Sequence, residues 1–154
     1  MTIAIEIQRA EHHHIPDLHA LETACFAEPW SPKSFRYIFS HHVEATAGLA
    51  VIALLATVDE DIVGYALFQG VFEDWELFRL AVLPAYRRQG VAKRLLSQGL
   101  EYAKANGCTI MRLEARRKNS PARYLYEGFG FIEYAVRSKY YPNGDDAILY
   151  AREL

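Results

Sequence analysis

Residues 75–100 read WELFRLAVLPAYRRQGVAKRLLSQGL, and this stretch limits how the chain can fold. Trp75 to Val82 is strand-like, Pro84 stops it, and a helix opens at Gly90 and runs to Lys104. On that helix Val91, Leu95, Leu96, Gly99, Leu100 and Ala103 share one face; Lys93, Arg94, Gln98 and Glu101 lie opposite. Asn106-Gly107 closes it, and Thr109 to Ala115 follows as a strand. Strand, helix, strand in this order requires a crossover and at least one parallel pair.

The charges of this stretch are out of place for an ordinary surface helix. Residues 77–100 hold Arg79, Arg87, Arg88, Lys93 and Arg94 with no Asp or Glu, five positive charges in a chain of net charge -2. Lys93 and Arg94 occupy the first helical turn, where the macrodipole disfavours cations. A bound anion reverses that penalty. Gly90 brings the backbone close to a ligand, Ala92 keeps the first turn small, and the free N–H groups of a helix start bind anions. A solvated basic face accounts equally well for the charges alone; the glycine, the preceding strand and Pro84 favour a phosphate cradle. Neither GxxxxGK[ST] nor GxGxxG occurs.

The remaining segments fall into short elements without repeat or linker. Ile3, Ile5 and Ile7 alternate as a strand; Ile15 to Phe26 has helical spacing; Ser31-Pro32 opens a second helix through Phe35, Ile38 and Phe39. Leu49 to Val58 and Ile62 to Gln69 read as strands around an acidic turn at Asp59-Glu60-Asp61. Asn119 caps a short helix from Ser120 to Glu127, and Phe131 to Tyr140 and Ala147 to Arg152 are the last strands, joined through Pro142-Asn143-Gly144-Asp145 as a hairpin. The order is βααβββαβαββ. At 154 residues, 51% hydrophobic and 23% charged, one domain over 1–154 with a real core is expected, and disorder is excluded. The apolar stretch from Ala47 to Val58 is too short to span a bilayer, the N-terminus lacks a signal-peptide pattern, and Cys25 and Cys108 have no CxxC spacing. A cytoplasmic protein without membrane or direct nucleic-acid partners is the expectation. His12-His13-His14 and His41-His42 lack metal-ligand spacing, so no metal is expected.

LAVLPAYRRQGVAKRLL resembles the coenzyme motif V-x-P-x-x-R-x-x-G-x-G/A of the GNAT superfamily of N-acetyltransferases, and LEARRKNSPARYLYEGFGF resembles its second half. Glu28-Pro29-Trp30-Ser31, Leu113-Glu114-Ala115-Arg116, Lys139-Tyr140-Tyr141-Pro142 and Asp146-Ala147-Ile148 are similar to the RimI-like branch, the ribosomal-protein-alanine N-acetyltransferases. The resemblance implies one α/β (α+β) domain whose central sheet of about seven strands is mixed and mostly antiparallel, with flanking helices. It implies acetyl transfer from acetyl-CoA to the N-terminal amine of a protein, foremost the alanine of a small-subunit ribosomal protein. The pyrophosphate falls to the backbone amides of Arg88, Gln89, Gly90, Val91, Ala92 and Lys93, with Arg87 at the motif's first position as a further coenzyme-binding residue. The pantetheine falls to a splayed strand at Leu80, Ala81 and Val82, and Asn119 is another coenzyme contact. Ala92 stands where many relatives carry Gly, an accepted variant.

The same resemblance makes Glu114 the base and Tyr126 the acid. The chemistry needs an amine freed of its proton and a proton for the leaving thiolate. Without the resemblance, Glu114 reads first as a strand-end carboxylate paired with Arg112 or Arg116, and Tyr126 as one of ten tyrosines in a core. Tyr124 falls on another helix face and serves as the control. Neither cysteine has an activating pattern, so direct attack in a ternary complex is expected. Tyr140 and Tyr141 match the branch's paired tyrosines at the peptide groove, with packing at a hairpin end as the alternative; Trp30 either lines that groove or anchors the core. Glu73, Asp74 and Glu76 form an acidic run suited to a basic peptide or simply to solvent. Arg116, Arg117 and Lys118 have three readings: the coenzyme's terminal phosphate, ribosomal RNA, or ordinary surface charge. A lysine or small-amine acceptor and a non-catalytic acyl-CoA-binding module are the other functional readings; the oligomeric state is open.

Overall fold

The computed structural model describes residues 3–40 and 48–154. Seven strands form one sheet: β1 (Glu6–Arg9), β2 (Leu49–Val58), β3 (Asp61–Val71), β4 (Asp74–Val82), β5 (Ile110–Arg116), β6 (Ile132–Arg137) and β7 (Ala147–Glu153), in the order β1-β2-β3-β4-β5-β7-β6. Only β4 and β5 run parallel. The crossover between them carries α3 (Val91–Ala105); α1 (Ile15–Cys25) and α2 (Pro32–Ser40) precede β2, and α4 (Ser120–Gly128) follows β5.

Local chemistry fixes three of the helix ends. Ser31 Oγ accepts from the Ser34 N–H at 3.2 Å, with Pro32 in the first turn. Asn119 Oδ1 accepts from Ala122 N–H at 3.3 Å at the head of α4. At the end of α3, Cys108 N–H donates to Ala103 O and Gly107 N–H to Lys104 O, with Gly107 at φ +90°. That is a Schellman cap. Asp59 and Glu60 form the two-residue link between β2 and β3, both left-handed at φ 50° and 71°, the type I′ form whose twist suits a hairpin.

The sheet separates two cores. On one face α3 and α4 bury Leu95, Leu96, Met111, Leu113, Tyr126 and Tyr150 among others. On the other, α1 and α2 cover Val51, Leu55, Tyr65, Leu67 and Ala81 with Leu18, Leu21 and Phe35. Gly99 allows α3 to lie close, because a Cβ there would stand 2.1 Å from the Phe68 ring.

Two expectations change. Ile3 and Ile5 precede the ladder, which begins at Glu6, yet Ile3, Ile5 and Ile7 all pack against the first core. The alternation reported a buried face rather than strand pairing. The last hairpin is also wider than its Asn-Gly signal suggests. Strand β6 stops at Arg137, so residues 138–146 form the connection; Gly144 N–H closes only the tip, onto Tyr141 O at 2.8 Å. His41 and His42 lie outside the described residues.

Candidate active site

Strands β4 and β5 pair at Asp74↔Ile110, Trp75↔Met111 and Glu76↔Arg112, and their ladder ends there. Leu77–Val82 and Leu113–Arg116 continue without pairing to each other. A bulge contributes to the parting: Leu67 pairs with Arg79 and Phe68 with Leu77, leaving Phe78 extra in β4. A bulge bends its strand and increases the local twist. Leu80, Ala81 and Val82, the expected pantetheine strand, lie in the parted portion.

The turn between β4 and α3 stands at one end of this wedge. Arg88 and Gly90 are left-handed at φ 63° and 89°. Arg94 N–H bonds Gly90 O at 3.0 Å, but the backbone N–H groups from Arg88 to Lys93 have no partner among the described residues. Six consecutive free donors, capped by a helix dipole, suit a diphosphate. Arg87 acts differently from its neighbours: its Nε donates to Val82 O at 2.9 Å and braces the turn against the end of β4. Arg79 is also withdrawn from the cationic set, since Glu22 neutralises it at 2.9 Å.

Glu114 sits on β5 opposite Leu149 of β7. Met111, Leu113 and Ala115 point into the first core, so Glu114 faces the α1–α2 side of the sheet. The two arginines flanking it in sequence are committed elsewhere. Arg112 pairs with Asp74 at 2.7 Å, and Arg116 with Asp145 at 3.3 Å and Asn143 at 3.0 Å. Glu114 makes no ion pair among the described residues. Its charge is felt nearby: it raises the Glu76 carboxyl, second to desolvation and against the pull of Arg137 and Arg112. It also helps burial push the Tyr141 phenol up to about 12.

Tyr126 and Tyr124, two residues apart on α4, have opposite environments. Tyr124 is 84% exposed and Tyr126 7%. The Tyr126 ring packs edge-on against Phe131 at 6.1 Å and tilted against Tyr150 at 6.3 Å. Its hydroxyl has no hydrogen bond among the described residues, and none of their side-chain polar atoms is sealed from solvent without a partner. The hydroxyl therefore meets solvent while the ring is core. Burial first, and Tyr141 second, raise its pKa well above the ordinary phenol value. Glu114, Tyr141 and Tyr126 are thus in electrostatic reach in sequence.

The 138–146 connection forms one rim. Tyr140 and Tyr141 meet edge to face at 5.1 Å, with Arg137 over the first ring at 5.3 Å and Arg116 over the second at 3.9 Å. Asp145 receives Arg116, Lys118 at 3.5 Å and Asn143; Asp146 receives Arg117 at 3.2 Å and Lys139 N–H at 2.9 Å. Arg116, Arg117 and Lys118 therefore anchor this rim.

The opposite rim contains a cluster absent from the sequence-based site. Glu22 of α1 is fully buried. It accepts from Arg79 Nε and Nη2 at 2.9 Å each, from the Tyr65 hydroxyl and from Trp30 N–H at 2.9 Å. Trp30 is half-buried, stacked under the Arg79 guanidinium at 4.9 Å and 5.7 Å from the Phe35 ring, so it packs as a core anchor. An arginine inside the apolar run LFRLAV and a glutamate among α1 core positions were the available signals, since buried charges come in pairs. Among the described residues no group of three or more His, Cys, Asp or Glu side chains is placed to hold a metal ion, both described cysteines are free, and no helix is long and apolar enough to cross a membrane.

Comparison with known proteins gives the same architecture a family. The chain is 32% identical to the ribosomal protein bS18-alanine N-acetyltransferase of Escherichia coli strain K12 over 148 residues, 94% of this chain and 95% of that one. The crystal structure of the ribosomal-protein-S18-alanine N-acetyltransferase from Escherichia coli superposes at TM-score 0.86 with 31% identity, covering 97% of this chain and 94% of that one. Ard1 from Thermoplasma volcanium shares the fold at TM-score 0.84 and 20% identity, over 99% of both chains. The family model of the GNAT acetyltransferases matches residues 15–131. With this match across most of its length and a relative aligned almost end to end, the chain belongs to the acetyltransferase (GNAT) family.

Proposed function

We propose that the protein transfers the acetyl group of acetyl-CoA to the N-terminal amine of a protein in the cytoplasm, foremost the alanine of a small-subunit ribosomal protein of the bS18 kind. The observation that carries this reading is a carboxylate, Glu114, with no ion pair among the described residues, at a wedge whose other end is a turn of six backbone donors that have no partner among them. The extensive identity to bS18-alanine N-acetyltransferases supports the choice of acceptor.

In this reading Arg88, Gln89, Gly90, Val91, Ala92 and Lys93 bind the diphosphate through their N–H groups, and Arg87 holds the turn in shape. The parted edge formed by Leu80, Ala81 and Val82 receives the pantetheine arm, and Asn119 adds a contact through its amide nitrogen, its oxygen being taken by the helix cap. Acetyl-CoA supplies the activated thioester. The acceptor enters between the Trp30 rim and the Tyr140–Tyr141 rim. An N-terminal amine has a pKa near 7.7–8.0, so it arrives largely as an ammonium at neutral pH. Glu114 takes a proton from it, and the neutral nitrogen attacks the thioester carbon. As the carbon–sulfur bond breaks, Tyr126 gives its proton to the thiolate. The proton on Glu114 leaves to solvent, and the second proton lost from nitrogen as the tetrahedral intermediate collapses to the amide balances the one that restores Tyr126.

Mass spectrometry of N-terminal peptides incubated with the protein and acetyl-CoA tests the proposal. The expected product is a single acetyl group on the α-amine of alanine-initiated peptides. Acetylation confined to lysine side chains or free amines would overturn the choice of acceptor; coenzyme binding without any transfer would overturn the enzymatic reading.

A further inference from the structure

The Glu22–Arg79 cluster is more tightly held than bracing a loop requires. Glu22 has two carboxylate oxygens and four donors on them, all from different groups or directions: the Arg79 fork, the Tyr65 hydroxyl and the Trp30 amide. Arg79 in turn is layered over two rings, Phe26 at 4.3 Å and Trp30 at 4.9 Å. Phe26 and Trp30 are both half-buried.

The place of this stack matters. Arg79 lies just after the bulge in β4, within the portion that has left β5. Its cross-strand partner Leu67 belongs to the α1–α2 core, so Arg79 rises from the face of the sheet that also carries Glu114. The stack therefore forms the wall on the α1 side of the wedge. An uncompensated guanidinium in such a wall would repel an approaching ammonium; the bidentate contact with Glu22 removes that repulsion.

We propose that Arg79 is a positioning residue that limits the size of the acceptor's first side chain: locked by Glu22, its guanidinium closes the gap between Phe26 and Trp30, and the rigid wall leaves room only for a small group beside the amine. This rests on the acceptor being a protein N-terminus. Removing the guanidinium opens the space between the rings, and a bulkier first residue then fits.

The test compares kcat/KM for two peptides that differ only in starting with alanine or leucine, using the wild type, Arg79→Ala and Arg79→Lys. The alanine-over-leucine preference is expected to fall about tenfold or more in Arg79→Ala, the scale on which pockets discriminate by a few methylenes. The change should enter mainly through a lower KM for the leucine peptide, with coenzyme affinity by calorimetry unchanged. Arg79→Lys should fall between the two. Because Arg79→Ala strands a buried carboxylate, Glu22→Gln/Arg79→Ala is assayed beside it and carries the test if the single variant does not fold. Equal losses for both peptides, leaving the preference unaltered, would show that the pair serves stability alone and overturn the inference. A wild type that acetylates neither peptide would overturn the parent reading instead.

Discussion

At the scale of single residues, Glu114 is set apart by what its neighbours do. Asp74 and Asp145 occupy the two arginines that flank it, and its carboxylate makes no ion pair among the described residues, as the proposed base requires. Glu114→Gln is expected to lower kcat about 100-fold or more, the range in which positioned acids and bases act, with coenzyme affinity by calorimetry near wild type. Tyr126→Phe should behave alike, and Tyr124→Phe, on the exposed side of the same helix, should change kcat less than about twofold. Similar modest losses in all three would remove the acid–base assignment. The raised Tyr126 phenol gives a second expectation. Since its pKa lies above the ordinary value near 10, the acid stays protonated through mild alkali. The pH profile of kcat/KM should climb through the titration of the acceptor amine and hold level to about pH 9.5; a falling limb near pH 8 would point to another acid. Glu114 and Tyr126 could be named as candidates from the sequence because each lies in a short contiguous motif. Glu22, Tyr65 and Arg79 were not, because their partnership joins positions 43 and 57 residues from Glu22.

At the scale of elements, the β4–α3 turn and the 138–146 connection are the parts whose shape matters most. Gly90 is left-handed with open space around the position of a Cβ, so a larger residue there meets strain but no collision. Gly90→Val should cost about 1–2 kcal/mol of stability. By disturbing the free N–H groups it should weaken coenzyme binding about tenfold to a hundredfold, the worth of hydrogen bonds to charged groups. Calorimetry and a thermal melt on the same variant separate the two effects. The connection depends on Asp145 and Asp146. Asn143 and the Lys118 and Arg116 cations lower the Asp145 carboxyl; the Lys139 N–H and Arg117 lower that of Asp146. A depressed acid stabilises the fold above its unfolded pKa, and that support is lost as pH falls through the lowered folded value. Below about pH 4 the Lys139 amide should therefore exchange faster than the amides of β7, read by hydrogen exchange. The α3 boundaries and its six-residue buried face follow from local periodicity, and the structure buries those six residues. The width of the last hairpin does not follow, because two aspartates paired with distant cations decide it.

At the scale of the whole molecule, β2, β3 and α3 lie where both cores or the full sheet protect them, while β6 is an edge with Ile132, Tyr134 and Val136 exposed. Native-state hydrogen exchange should find the β2 and β3 amides last to exchange and those of β6 among the first. The reverse order would mean that the two cores do not share the load as drawn. The element order was readable from strand and helix signals, but not where a ladder stops. Nothing local marks Phe78 as the extra residue, and the end of pairing at Glu76↔Arg112 involves segments far apart in the chain. The consequence reaches the integrity of the molecule. The first four strands with their helices and the last three strands with α4 are joined, among the described residues, by three ladder positions, the Thr109 and Ile110 N–H bonds to Glu73 O, the Arg112–Asp74 pair and a shared core. Past those positions the sheet is an open seam edged with amides, and a ligand with amides of its own can act as a clasp across it. In the proposed reaction substrate and scaffold are then hard to tell apart: coenzyme binding fastens the two halves and product release unfastens them.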